Sequence, residues 1–187
     1  AEDGEILIRG ELVMKGYWHD QEASQQALKD GWLHTGDIGE IDNDGHLLIT
    51  DRKKDIIVND KGDNISPARV ESLLTLEPEI GQAMVYGDKR PHLVGLVVPD
   101  QDWLAEWVSH NNKQLVPEAL ATDPELREVL DRAVDRVNAR LSNMEKVRRF
   151  AIAPEAFTIE NEQMTPTMKL RRHVIFAKYG SVLESLY

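Results

Sequence analysis

Residues Thr35–Glu71 read TGDIGEIDNDGHLLITDRKKDIIVNDKGDNISPARVE, and this stretch decides the fold. Its first half predicts a β-hairpin: Ile38 and Ile41 face Leu47 and Ile49 across the polar turn Asp42-Asn43-Asp44-Gly45, where Gly45 is free to take a positive φ. The chemistry then changes abruptly. Asp51-Arg52-Lys53-Lys54-Asp55 is an unbroken run of charge, poor material for a strand core and suited to an exposed connection. A second β run, Ile56-Ile57-Val58, follows at once, and Ser66-Pro67 then opens a helix with a good N-cap and a proline at its first position. The abrupt change marks a domain junction.

On the amino-terminal side of the junction, Glu5–Arg9 predicts a short strand and Leu12–Met14 a continuation of it. Asp20–Leu28 predicts one short helix closed by Asp30-Gly31. Residues 1–50 hold too little apolar surface for an independent core, so they are expected to be the tail of a larger domain. On the other side the pattern is that of a complete small domain. Val70, Leu73 and Leu74 recur at helical spacing up to Glu77-Pro78, and strands follow at Gln82–Tyr86 and Leu93–Val98. Asp100 is placed to cap a helix bearing Trp103, Leu104, Trp107 and Val108. The longest helix opens at Thr122-Asp123-Pro124 and lines up Leu126, Val129, Leu130, Ala133, Val134, Val137 and Leu141. A strand near Arg149–Ala153 and a last helix over Leu170–Lys178, closed by Gly180, complete an α+β order.

Composition narrows the function classes. The chain has 187 residues, no cysteine and a formal net charge of −11. Such a charge argues against nucleic acid as a partner, because neutralising phosphates needs a basic surface. Without cysteine there is neither a disulfide framework nor a thiolate metal site, which fits a reducing cytoplasm. The six histidines lack ligand spacing, and no metal site is expected. No run is long enough to span a bilayer, which leaves peripheral membrane association unread.

Three residues stand out as chemistry-bearing. A carboxylate held in the Thr35-Gly36-Asp37 turn at a strand end is suited to accept two hydrogen bonds from a vicinal diol such as a ribose; the plainer reading is that Asp37 caps the turn. Arg52 and Lys169 are cations that, taken singly, read as solvated surface charges. Lys169 gains from its setting, since Thr165-Pro166-Thr167-Met168-Lys169 is a restricted, hydroxyl-rich loop opening into a helix.

WLHTGDIGEIDNDGHLLITDRKKD, IIVNDKGDNISPARVE and TPTMKLRR, in this order, resemble the carboxy-terminal part of the AMP-forming, adenylate-forming acyl-CoA synthetase superfamily, most closely the long-chain fatty acid CoA ligases. The likeness covers essentially the whole chain. It implies a small mobile C-terminal domain over residues 55–187, a hinge at residues 52–54, and over residues 1–51 a β-rich remnant of a large N-terminal domain. It also implies that Asp37 binds the ribose hydroxyls of ATP or acyl-adenylate and that Arg52 contacts the ribose or its phosphate side. Lys54 falls on the hinge position, Gly62 in the hairpin loop that lines the CoA channel, and Lys169 on the adenylating lysine. Asp51 stands where many relatives have glycine.

The implied substrates are a fatty acid, ATP with Mg2+, and CoA. The family's phosphate loop and its Mg-holding glutamate are not found in these residues, so the chain is expected to be a fragment lacking its N-terminal domain and inactive alone. Two alternatives are a fatty acyl-AMP ligase that loads a carrier protein and a non-catalytic interaction module that keeps the fold.

Overall fold

The computed structural model describes residues 1–114 and 116–187 and falls into two compact units, Ala1–Ile56 and Ile57–Tyr187. In the first unit the elements are β1 (Glu5–Ile8), α1 (Gln21–Ala27), β2 (Leu28–Lys29), β3 (Trp32–Ile41) and β4 (Leu47–Arg52). Strand β3 is the spine of an antiparallel sheet. One edge pairs with β1, while the other pairs with β2 beside Trp32-Leu33 and with β4 beside Asp37–Ile41. Asp20 caps α1 by accepting from the Ala23 N–H at 2.9 Å.

The expected hairpin forms, with Ile41 opposite Leu47 and Gly45 at φ 86°. Its register differs in detail: a bulge between Ile38 and Gly39 sets Gly39 against Ile49 and Ile38 against Asp51.

Three readings of this unit are corrected. Leu12–Met14 is not strand but a run of bends and turns, in which Leu12 is fully exposed and finds neither a pairing partner nor a core. Asp30-Gly31 does not close α1. Both residues have positive φ, 50° and 80°, and they form the tight turn that lets Leu28-Lys29 pair back on Trp32-Leu33, so pairing with β3 takes over where the helix was expected to run on. Finally, the charged run is not wholly an exposed connection. β4 continues through Arg52, with Asp51 buried in the ladder, and the turn is confined to residues 53–55.

The second unit holds β5 (Ile57–Val58), β6 (Asn64–Ile65), α2 (Pro67–Leu74), β7 (Ile80–Tyr86), β8 (Leu93–Pro99), α3 (Gln101–His110), α4 (Pro117–Leu120), α5 (Pro124–Asn138), β9 (Val147–Ile152) and α6 (Arg172–Glu184). Strands β5 and β6 make a small hairpin. Strands β7, β8 and β9 form a sheet in that order, with β8 antiparallel to β7 and parallel to β9. All of β8 is buried, as a strand covered on both faces must be, and its seven residues LVGLVVP are accordingly almost all apolar.

Helices α2, α3 and α5 supply one core with the sheet, and α6 packs with the other. Ser66 and Asp100 cap as the sequence indicates, Ser66 Oγ accepting from Arg69 N–H and Asp100 from Asp102 and Trp103, and at the start of α5 the cap is Asp123, which accepts from Glu125 and Leu126. On α5, Leu126, Leu130, Val134 and Val137 are buried, each contributing about 1.5–3 kcal/mol by leaving water.

The last helix differs from expectation. It runs from Arg172 to Glu184, with Gly180 inside it rather than beyond its end. Gly180 is buried, and a Cβ there would lie 3.2 Å from the Phe176 ring, so the glycine serves close packing and not a left-handed cap. The architecture as a whole is mixed α+β.

Candidate functional site

Thr35, Gly36 and Asp37 lie within β3 and not at its end, as the sequence suggested. Gly36, at φ 71°, interrupts the pleat in a conformation that costs a residue with a Cβ about 1–2 kcal/mol. Around this kink the bonds are local and specific. Thr35 Oγ1 donates to the Ile6 carbonyl at 2.8 Å and accepts from the Asp37 N–H at 3.1 Å.

Asp37 pairs with Arg52 across β3 and β4, and Arg52 Nε reaches Asp37 Oδ1 at 2.9 Å. Arg52 Nη2 also donates to the Thr35 carbonyl at 3.4 Å. Both side chains remain accessible, 32% for Asp37 and 48% for Arg52. An ion pair so exposed adds at most about 1 kcal/mol to stability, so its main effect is to orient two charged groups toward solvent.

Beneath the kink is a residue that the sequence did not single out. Glu5, on β1, is 5% exposed, and its carboxylate accepts from Gly36 N–H at 3.0 Å, from Lys53 Nζ at 3.1 Å and from His34 Nδ1 at 3.0 Å. The His34 hydrogen bond above all, with the Lys53 ammonium and the Gly36 amide, outweighs burial and holds the carboxyl at about 2, against an ordinary 4.5. Lys53 bridges on to Asp3 at 2.5 Å. Glu5 thus ties β1, the kink and the start of the charged turn together. Nothing local in the sequence points to it, because in a short strand it reads as a solvent-facing residue and its partners are 29 to 48 positions away.

Lys54 is exposed in the 53–55 turn, where Lys53 N–H donates to Gly36 O and both Asp55 N–H and Ile56 N–H donate to Arg52 O. Gly62, at φ 87°, sits in the loop between β5 and β6, with open space where a Cβ would be. Asn59 organises that loop: it is 7% exposed, its Oδ1 accepts from the Lys61 and Asp63 amides, and its Nδ2 donates to Asp63 Oδ2 at 2.9 Å.

Lys169 is exposed on a closed turn preceding α6. Thr165 N–H donates to the Lys169 carbonyl at 2.8 Å, Lys169 N–H donates back to Thr165 Oγ1 at 3.0 Å, and Met168 takes φ 60°. Immediately after it, Arg172 makes a two-armed pair with Glu71 of α2 at 2.6 and 2.7 Å, fixing where α6 begins. The Lys169 backbone is therefore constrained on both sides while its ammonium is left accessible.

Among the described residues, one trio could gather around a metal ion: Asp42, Asp44 and His46, in the exposed β3–β4 turn. Asp42 already accepts from the Asp44 and His46 amides and from the His46 ring, which makes it a turn cap. The structure brings Asp37 and Arg52 together and places Gly62 and Lys169 on separate loops of the second unit.

The α+β fold is that of the C-terminal part of adenylate-forming enzymes. Residues 54–187 match the AMP-binding enzyme C-terminal domain family, and the chain belongs to that family. It is 42% identical over 189 aligned positions to the long-chain-fatty-acid–CoA ligase FadD15 of Mycobacterium tuberculosis, covering all of this chain and 32% of that protein. It is 36% identical to long-chain-fatty-acid–CoA ligase 5 of Mus musculus, covering 99% of this chain and 28% of that protein. Among solved structures, the A-PCP didomain of carboxylic acid reductase from Segniliparus rugosus in complex with AMP superposes with a TM-score of 0.81 at 26% identity, over 98% of this chain and 24% of that one. The chain thus spans about a third of the length of the curated relatives it matches.

Proposed function

We propose that these residues are the C-terminal part of an ATP-dependent ligase that activates a long-chain fatty acid as acyl-AMP and passes the acyl group to CoA. The observation that carries the reading is the 42% identity to a long-chain-fatty-acid–CoA ligase across the entire chain. The geometry is compatible with it. Arg52 occupies Asp37 Oδ1, and a carboxylate has further lone pairs with which to accept the two hydroxyls of a ribose.

In the first step the fatty acid carboxylate attacks the α-phosphorus of ATP, an oxygen–phosphorus bond forms, and pyrophosphate leaves. Lys169 offsets the negative charge that grows on the α-phosphate oxygens, worth about 3–4 kcal/mol by analogy with other preorganised donors. In the second step the CoA thiol, losing its proton, attacks the acyl carbonyl and AMP leaves. The loop carrying Gly62 flanks the thiol's path, where the open space at its Cβ position leaves room for the pantetheine arm. Residues 55–187 turn about Lys54 between the steps. Among the described residues the Asp42-Asp44-His46 trio is the one metal-like cluster, and its Asp42 carboxylate is taken up in capping the turn; residues 1–187 alone are expected not to release pyrophosphate from ATP and a fatty acid.

A carrier protein as acceptor in place of CoA is the second reading, favoured by the likeness to a didomain that includes a carrier module. In the full-length enzyme, Lys169→Ala should slow adenylation by at least about a hundredfold and leave transfer from supplied acyl-adenylate nearly unchanged. Equal loss in both assays would make Lys169 structural and remove the mechanism above. Turnover with CoA against a carrier protein separates the two acceptors.

A further inference from the structure

The hairpin that carries Gly62 cannot hold its own position. Strands β5 and β6 are two residues each, far below what a free hairpin needs in water. The hairpin has two supports: Ile57 and Ile65 are buried in the core of the second unit, and its backbone is bonded to the β7–β8 connection. Lys89 N–H donates to the Val58 carbonyl at 2.7 Å, Asp60 N–H donates to the Arg90 carbonyl at 3.2 Å, and Val58 N–H donates to Asp88 Oδ1 at 3.3 Å. Lys89 makes its bond from a left-handed conformation, φ 55°, uncommon for a residue with a side chain, in a turn closed by the Arg90 N–H donating to the Gly87 carbonyl at 3.0 Å.

The 87–91 connection is in turn held from the far end of the chain. The Tyr187 hydroxyl lies 3.2 Å from the carbonyls of both Tyr86 and His92, its one proton shared between them, and so links the two ends of the 87–91 connection. Burial pushes the Tyr187 hydroxyl up from its ordinary value, so it stays a protonated donor. Glu184, one turn back on α6, accepts from the Tyr86 hydroxyl at 2.8 Å and pairs with the Arg90 guanidinium, which also lies over the Tyr187 ring at 5.1 Å. Arg149 of β9 donates to the Leu186 carbonyl at 3.1 Å and fixes the segment that presents Tyr187. An unbroken series of contacts runs from α6 through residues 86–92 to the hairpin.

We propose that Glu184 and Tyr187 are positioning residues for the acyl-transfer half-reaction: acting through the 87–91 connection, they hold the Gly62 hairpin at the height needed to line the path of the acceptor thiol. This role rests on the reading of Gly62 given above. Neither residue bears on Lys169 chemistry by this route, so the effect is confined to one of the two steps.

The test uses the full-length enzyme with Tyr187→Phe, which deletes only the hydroxyl, and Glu184→Gln, which keeps shape and weakens the Arg90 pair. Two readouts are taken on each: amide exchange at Lys89 and Asp60, and the two half-reactions assayed separately, adenylation by pyrophosphate release and transfer from supplied acyl-adenylate to CoA. Exchange at both amides should rise about tenfold while β8 amides stay protected, transfer should fall about tenfold, and adenylation should stay within about twofold. Unchanged exchange, or parallel loss of both half-reactions, overturns the proposal. Gly62→Leu separates the two ideas. If it impairs transfer while the Glu184 and Tyr187 variants do not, the bracing role alone is wrong; if it leaves transfer intact, the reading of the hairpin falls, and the positioning role with it.

Discussion

The two units are built on opposite economies. In Ala1–Ile56 no hydrophobic residue among those described is buried. Its buried residues are the acids Glu5 and Asp51, while Ile41, Leu47, Leu48, Ile49 and Trp18 are exposed. In Ile57–Tyr187 thirty of the described hydrophobic residues are buried, from Ile57 to Leu183, in two clusters on the two faces of a sheet. The first unit is thus held by backbone ladders and by ion pairs around Glu5, the second by apolar burial. Ladders and ion pairs fix geometry while contributing little net stability. A packed core supplies a rigid base for loops such as those of Gly62 and Lys169.

The contrast can be broken most forcefully by truncating one aliphatic side chain in each unit. Leu130→Ala should cost about 2–5 kcal/mol, because it leaves a cavity in the core of the second unit, whereas Ile49→Ala should change stability by less than about 0.5 kcal/mol. Urea unfolding of residues 1–187 measures both, and comparable losses would mean that the first unit has a core after all.

Next in size is Glu5→Gln, which leaves His34, Lys53 and the Gly36 amide without their carboxylate and should cost about 1–3 kcal/mol, felt in the first unit. The pH dependence follows from the depressed Glu5 carboxyl. Folded at about 2 against an ordinary 4.5, it contributes stability that is complete above pH 4.5 and is lost as pH falls toward 2. Exchange at the Gly36 amide should accelerate over that window in the native chain and not in Glu5→Gln; the same acid response in both would remove Glu5 as the anchor of the kink.

The smallest effect sharpens the picture of the second unit. At Gly180 alanine gains about 1 kcal/mol of helix propensity, offset by moving the half-exposed Phe176 ring a few tenths of an ångström, so Gly180→Ala should shift stability by under about 1 kcal/mol. A loss near 3 kcal/mol would show a far less yielding contact.

The same contrast explains what the sequence could reveal. The stripe and start of α5 and the caps at Ser66 and Asp100 were legible because helix periodicity and capping are local, written within a few residues. The parallel partnership of β8 and β9 was not, since their first paired residues, Leu93 and Val147, are separated by three helices and no local pattern names a distant partner. Gly180 was misplaced because a glycine near a helix end reads as a terminator unless the aromatic side chain packed on it is known. In the candidate site, Asp37, Arg52, Gly62 and Lys169 were singled out through short motifs. Glu5 was invisible: its importance lies in burial beneath a kink on another strand, which only the fold creates.

If the two units divide one reaction between them, the residue on which they turn must reach two backbone conformations. Lys54 is the test. Proline there removes none of the turn's bonds from Lys53, Asp55 and Ile56, but fixes φ near −65° and restricts Lys53 before it. Measured separately in the full-length enzyme carrying Lys54→Pro, adenylation should survive within about tenfold, while transfer to CoA falls at least about tenfold further, a barrier difference of about 1.4 kcal/mol. Parallel loss of both half-reactions together with a lowered Tm would contradict the account and leave Lys54 as one solvated charge in a run of five.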